Sequence, residues 1–267
     1  MQNPVTGHSR FAELLRIDGR DLDVRTIGPG EEPASIVFLH EGLGSVDLWR
    51  SYPTEIADAC AERAIVYSRY GHGWSDVQRE ERSVDFMDHE ALVVLPELIE
   101  AVGARNPILV GHSDGASIAL LHASRHPVAA MVLLAPHVFT EPSGLAEIRA
   151  ARDRFENTDL IQRMARYHRD PEATFKTWNN VWLNPDFEPW NIESVLADVT
   201  CPVLLIQGEA DEYGTMAQID AISRQLGGSV DQLRLPNCRH SPHLDRSACT
   251  SDATTRFIKE VLEATNR

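Results

Sequence analysis

Six short β-rich runs, several of them apolar at almost every position, alternate along this chain with stretches of helical periodicity. They are SIVFLH (35–40), AIVYSRY (64–70), PILVGHS (107–113), AAMVLLAP (129–136), PVLLIQG (202–208) and DQLRLPN (231–237). A strand wetted on one face alternates apolar with polar residues, whereas a near-continuous apolar strand is covered on both faces. Helices between such strands supply the crossovers that parallel pairing needs. The expected fold class is therefore α/β, with a mostly parallel central sheet and helices on both faces. Upstream, AELLRIDGRDLDVRTIG predicts an antiparallel hairpin turning at Asp18-Gly19.

Helices are expected over DLWRSYPTEIADACAE, SVDFMDHEALVVLPELIEAVG, GASIALLHASRHP, TMAQIDAISRQLGG and SDATTRFIKEVLEATNR. Gly227 is the expected C-terminal glycine of the fourth, and Ser251 or Asp252 the expected N-cap of the last. One interval breaks the rhythm. About sixty residues separate LLAPH from CPVLLIQG, far more than a usual connection of ~4–6 residues. Within it, 141–155, 158–169 and 172–183 read as helices, and the block carries Phe155, Phe175, Trp178, Trp182, Phe187 and Trp190. The chain thus divides into a core of 1–137 with 198–267 and a helical cap of 138–197. An insertion after the fourth parallel run sits over the carboxyl ends of the strands, where open α/β sheets bind their ligands.

Composition excludes several classes of partner. A net charge of −15 and a pI near 5.1 repel nucleic acid and anionic membranes. No stretch approaches the ~20 apolar residues of a membrane span, and the first nineteen residues lack the apolar run of a signal peptide. The four cysteines, Cys60, Cys201, Cys238 and Cys249, form no Cys-x-x-Cys pair and read as reduced thiols of a cytoplasmic protein.

The chemistry centres on Gly111-His112-Ser113-Asp114-Gly115. An apolar run leads into it and the helix former run ASIALLHA follows. This is the setting of a nucleophile elbow, a sharp strand-to-helix turn that lifts a serine hydroxyl clear of the sheet. Side chains two positions either side would collide there, hence the two glycines. A serine needs a base, and the base an orienting acid, in the chain order Ser, acid, His. Past the fifth run, GEADEYG offers Asp211, with Glu209 and Glu212 as rivals. Past the sixth, PNCRHSPHLD offers His240 and His243, the only histidines that follow the acid. His240-x-x-His243 lacks a third ligand at a telling spacing, so no metal is expected. His122 and His126 share a helix face and read as surface residues. Acyl transfer also needs two N–H donors for an oxyanion. One is the N–H of Asp114, and the other is expected from HEGLGS (40–45), whose Gly42 and Gly44 admit close approach.

FLHEGLGS, YSRYGHGWSD, VGHSDG, LLIQGEADE and CRHSPH occur in this order. Through them nearly the whole chain resembles the α/β-hydrolase superfamily, of the capped esterase, lactonase and carbon–carbon hydrolase type. The resemblance implies a triad of Ser113, Asp211 and His240 and an oxyanion hole from the N–H groups of Gly42 and Asp114. Glu41 stands where the family usually has glycine, and is expected to point away from the oxyanion. A serine at the nucleophile position argues against the dehalogenase and epoxide hydrolase branches. The implied activity is cofactor-independent cleavage of a small ester through an acyl-enzyme. A lactone, amide or carbon–carbon substrate would use the same residues, and a small-ligand receptor with slow turnover is the alternative of another class. Trp178 and Trp182 share a helix face with Phe175. That face either packs the cap on itself or roofs the Ser113 pocket, with His137 at the pocket wall offering a polar contact to an uncharged, apolar substrate.

Overall fold

The structure, a computed structural model, describes residues 13–265; residues 1–12, read above for a leader, lie outside them. The chain opens with the expected hairpin, β1 (Glu13–Ile17) and β2 (Arg20–Ile27), in which Ile17 faces Arg20 across the turn. Asp18 and Gly19 both have positive φ, 47° and 71°, as a two-residue turn matched to strand twist requires. Then come β3 (Ile36–Leu39), α1 (Tyr52–Cys60) and β4 (Ala64–Tyr67). The next helical stretch is α2 (Phe86–His89) and α3 (Leu95–Ala101), joined by a π-helical turn over Glu90–Val94. It leads to β5 (Ile108–His112), α4 (Asp114–Ala123) and β6 (Ala130–Leu134). The long insertion holds α5 (Pro142–Asn157), α6 (Leu160–Met164) and α7 (Pro171–Trp182). The chain returns through β7 (Val203–Gly208), α8 (Ala217–Gln225), β8 (Val230–Leu235), α9 (Pro242–Asp245) and α10 (Ser247–Thr265).

These strands form one eight-stranded sheet ordered β1-β2-β4-β3-β5-β6-β7-β8. β1 and β2 are antiparallel, β2 runs antiparallel to β4, and all later pairs are parallel. The chain adds strands on one side of β3, then crosses to the other side at β5. That reversal is the switch point at which α/β sheets leave a crevice. All residues of β3 to β7 are buried. Their side chains divide between two cores. Val37, Leu39, Leu109, Met131 and Leu133 join one with α3, α4, α8 and the cap; Ile36, Phe38, Val110 and Val132 join the other with α1 and α10.

Three local expectations are corrected. The fourth helix stops at Gln225, and Leu226 beyond it is extended rather than left-handed. Gly227 is there for contact instead: a methyl at Gly227 would lie 2.5 Å from the Ala197 carbonyl oxygen. The last helix begins at Ser247, so Ser251 and Asp252 lie inside it. His122 is buried, and its Nδ1 lies 2.8 Å from the Ala91 carbonyl oxygen, although its ring does stack on His126.

The elbow's glycines answer to close approach. A methyl on Gly115 would overlap the carbonyl oxygen of Leu39 at the end of β3, and one on Gly111 would strike the backbone of Gly115 and Ala116. The atoms in the way are backbone and cannot swing aside. Gly115→Ala is expected to cost ~1–3 kcal/mol or more by overpacking. Thermal denaturation should show this as a fall of several degrees, at ~2–4 °C per kcal/mol for a chain of this size class.

Candidate active site

Ser113 follows the last residue of β5 with φ 52° and ψ −117°, in the left-handed half of the map. An L-residue with a side chain holds such a conformation only where its surroundings impose it. Here the Ser113 N–H donates to the Leu134 carbonyl at 2.9 Å, and α4 begins at the next residue. Its hydroxyl is thereby lifted off the strand end.

The structure brings Ser113, His240 and Asp211 together. His240 Nε2 lies 2.9 Å from Ser113 Oγ, and His240 Nδ1 lies 2.9 Å from both Asp211 carboxylate oxygens. Asp211 in turn accepts from the Tyr213 N–H at 2.8 Å, the Gly214 N–H at 3.3 Å and Gln207 Nε2 at 2.8 Å. Burial pushes this carboxyl up, but the facing His240 and these donors hold it below its ordinary value. For His240, burial pulls down, and the Asp211 charge more than offsets it, so the imidazole stands above its ordinary value. Glu209 is exposed, and Glu212 is taken by Arg239 at 2.7 Å. Neither meets His240.

His243 is no surface histidine. It is buried on α9 against Trp49, Tyr52 and His112, with ring centroids 5.0, 5.5 and 5.1 Å away. Burial drives its imidazole down to about 3. Its ring faces aromatic neighbours rather than converging with His240, and among the described residues no group of three or more His, Cys, Asp or Glu side chains is placed to hold a metal ion.

The N–H of Asp114 opens the first turn of α4, where no intrahelical acceptor exists. Gly42 borders the same cavity as Ser113 and Asp114. A methyl on Gly42 would overlap Trp178 Nε1, so the glycine admits a cap side chain to the loop. Glu41 partly departs from expectation. It borders the cavity, yet its carboxylate turns back onto His112, with Oε2 3.4 Å from Nδ1. Burial pushes Glu41 up, but His112 outweighs this and holds it at about 2.

The cavity over Ser113 encloses about 110 Å³. Leu43, Phe139, Leu145, Ile148, Trp178, Trp182 and Tyr213 supply its apolar wall. His137 also lines it, buried and 5.6 Å from the His240 ring centroid to centroid. Burial, and then His240, push His137 down to about 3, so it is a neutral imidazole. The cap face serves both purposes set out above. Phe175 stacks on Phe155 and meets Trp178 edge-on, while Trp182 packs on Phe187 and Trp190. Trp178 and Trp182 also reach the cavity.

Sequence reasoning missed the supporting shell. Gln207 holds Asp211 and the Gly214 carbonyl from within β7. His112 Nε2 lies 2.7 Å from the His240 carbonyl oxygen, anchoring the loop that carries it. Arg69 is almost wholly buried, donates to the carbonyls of His40 and Glu41, and stands 3.9 Å from the Asp114 carboxylate. A signal was available for two of them, since Gln207 and Arg69 are polar residues inside or at the end of otherwise apolar runs.

A model of the alpha/beta hydrolase family matches residues 36–250. Serine hydrolase BPHL of Mus musculus is 22% identical over 258 residues, covering 93% of this chain and 85% of that protein. Among solved structures, an esterase from Exiguobacterium antarcticum superposes with a TM-score of 0.73 at 17% identity, over 93% of this chain and 100% of the other. The enol-lactonase from Burkholderia xenovorans gives 0.69 at 17% identity, over 94% and 100%. At these identities the structural likeness is one of fold. The family match spans most of the chain and takes in both the Ser113 turn and the His240 loop, and the protein therefore belongs to the alpha/beta hydrolase family.

Proposed function

We propose that this chain is a serine hydrolase that cleaves small, largely apolar carboxylic esters through an acyl-enzyme on Ser113. The observation that supports this most directly is the unbroken chain Ser113 Oγ–His240 Nε2 and His240 Nδ1–Asp211, facing at the serine end a largely apolar cavity. His240 takes the Ser113 proton as Oγ attacks the ester carbonyl. The N–H groups of Gly42 and Asp114 receive the oxyanion, and Asp211 keeps the proton of His240 on Nδ1 so that Nε2 is free to act as base. His240 then delivers its proton to the leaving alcohol. Water, deprotonated by the same imidazole, releases the acid. No step calls for a cofactor.

The cavity argues for the substrate class. Its volume is of the order that holds a single small ring. Its charged lining residues are Glu41, Asp114 and Glu141, all acidic, and Glu141 is occupied by Thr215 and Gln218. An anionic acyl group would find no lysine or arginine among the lining residues. An acyl chain much longer than a ring would meet Trp178 and Trp182, which are held by the cap's own packing.

Ser113→Ala is expected to abolish turnover of activated esters, and His240→Ala to cut kcat ~10³-fold or more. Asp211→Asn should lose ~10⁴-fold, by analogy with other triads. It should also move the acid limb of the rate profile to lower pH. The base works only when neutral, and the Asp211 charge is what holds His240 above its ordinary value. His243→Phe should leave kcat nearly unchanged. Steady-state rates from pH 5 to 9 for these four variants check the assignment, and an inactive His243→Phe with an active His240→Ala would move the base.

A kcat/KM series from acetyl through benzoyl to decanoyl esters should peak at the short and aromatic acyl groups. Trp182→Leu should shift the optimum toward longer chains. An unchanged series with only a lowered Tm would make that tryptophan purely structural.

A further inference from the structure

The loop over 40–44 is held from behind, carbonyl by carbonyl. Arg69 Nη1 donates to the His40 carbonyl, and Arg69 Nη2 to that of Glu41 at 2.9 Å. His72 Nε2 lies 2.9 Å from the Gly42 carbonyl oxygen. His168 Nε2 lies 3.1 Å from that of Leu43. Within the loop, the Gly44 N–H closes a four-residue turn onto the Glu41 carbonyl at 3.0 Å. Arg69 and His72 belong to the segment after β4. His168 comes from the insertion, between α6 and α7, and is 2% exposed.

Its hydrogen bonds fix its tautomer. The Gly73 N–H donates to His168 Nδ1 at 3.1 Å, so Nδ1 is bare and Nε2 carries the proton given to Leu43. The backbone confirms the seat: the Arg169 N–H donates to the Gly73 carbonyl at 2.8 Å, and Thr174 Oγ1 to the Gly71 carbonyl at 2.6 Å. Burial keeps the His168 ring neutral, its value lowered to about 4, so both bonds persist at neutral pH.

A four-residue turn has two alternative orientations of its central peptide, related by a flip of roughly 180°. In the turn Glu41–Gly44 the central peptide is Gly42–Leu43, and His72 on the Gly42 carbonyl opposes its flip. His168 holds the next peptide, Leu43–Gly44, whose N–H donates to the Glu41 carbonyl, and that carbonyl shares its peptide with the Gly42 N–H. We propose that His168 is a positioning residue for catalysis: a cap side chain that locks the Gly42 turn in its oxyanion-binding orientation, so that the oxyanion hole is complete only when the cap is seated. This rests on the serine hydrolase reading above. It assigns to the cap a part in the chemical step, beyond shaping the cavity.

The test compares wild type with His168→Phe, His168→Ala and His168→Gln on 4-nitrophenyl acetate, with Tm measured alongside. A glutamine amide can reach the Leu43 carbonyl as a donor; phenylalanine fills the space without one. Losing a true oxyanion donor costs ~10²–10³ in kcat. Losing its support is expected to cost about 10-fold or more in His168→Phe and His168→Ala, with KM within threefold. His168→Gln should recover at least a third of the lost activity on a logarithmic scale. Binding of a boronic acid, which mimics the tetrahedral oxyanion, should weaken in parallel with kcat. If His168→Ala does not fold, His168→Gln and His168→Phe decide the matter through their ratio. Variants within twofold of wild-type kcat, or losses confined to Tm and KM, overturn the clamp while the hydrolase reading stands. A wild-type chain that turns over no ester and leaves Ser113 unlabelled by a fluorophosphonate overturns both.

Discussion

Everything at the site is referred to one strained residue. Ser113 sits at φ 52° between the end of β5 and the start of α4, and the sheet does not let it relax. Its N–H is engaged by β6, and the following turn of α4 is pressed against the end of β3 through Gly115. Strain of this kind costs of the order of 1–3 kcal/mol and persists only where the surroundings over-determine it. The two fully buried neighbours, β3 and β6, provide that. The same packing sets direction. With β5 at the switch point, the Ser113 hydroxyl, the β3 loop, Asp211 after β7 and His240 after β8 all emerge at one sheet edge. No long-range device is needed to assemble them, only correct register of parallel strands.

The electrostatics follow from burial. Asp114 stands beside Ser113 with its carboxylate in the interior, where burial pushes it up and Arg69 and Arg82 draw it back. An ionised carboxylate so close to a forming oxyanion would oppose catalysis. Arg69 answers this, because one guanidinium faces Asp114 and also ties the two carbonyls at the start of the β3 loop. Removing one partner of such a buried pair is far more costly than the pair is stabilising. The histidines show the other side of burial. His40, His72, His137, His168 and His243 all lie below their ordinary value, and for each burial is the largest cause. Among the described histidines with a displaced value, His240 alone is displaced upward, because it faces the buried Asp211 carboxylate bidentately.

The fold was legible because apolar runs buried on both faces, as in β3 to β7, leave few alternatives; the mixed run DQLRLPN became the largely unburied edge strand β8. The convergence of Ser113, His240 and Asp211 was legible because strand ends locate polar side chains along the chain, and chain order then excludes most histidines. Local helix ends were read less well. Gly227 and Ser251 look like terminators by residue type, but tertiary contact decided their place. His122 was misread for a related reason: a lone histidine carries no sequence mark of burial, and it is buried by an element far away along the chain. The supporting hydrogen bonds on carbonyl groups were invisible in principle. A carbonyl belongs to every residue, so nothing in the letters 40–44 announces that four oxygens need donors.

The cap unites two demands that a designer would keep apart. Trp178 and Trp182 are core residues of the helical insertion and also wall residues of the cavity. Trp178 further reaches the β3 loop, where only glycine at position 42 leaves it room. A side chain with both duties cannot be exchanged for substrate preference alone, since a large-to-small change in a packed aromatic cluster typically costs 3–5 kcal/mol. Changes in preference are therefore cheapest where the cavity wall does not carry the cap, at Leu43, Phe139 or Tyr213, which line the cavity and are only partly buried. By this argument the tryptophans set an upper bound on acyl length for the scaffold, and finer discrimination belongs to the loops around them.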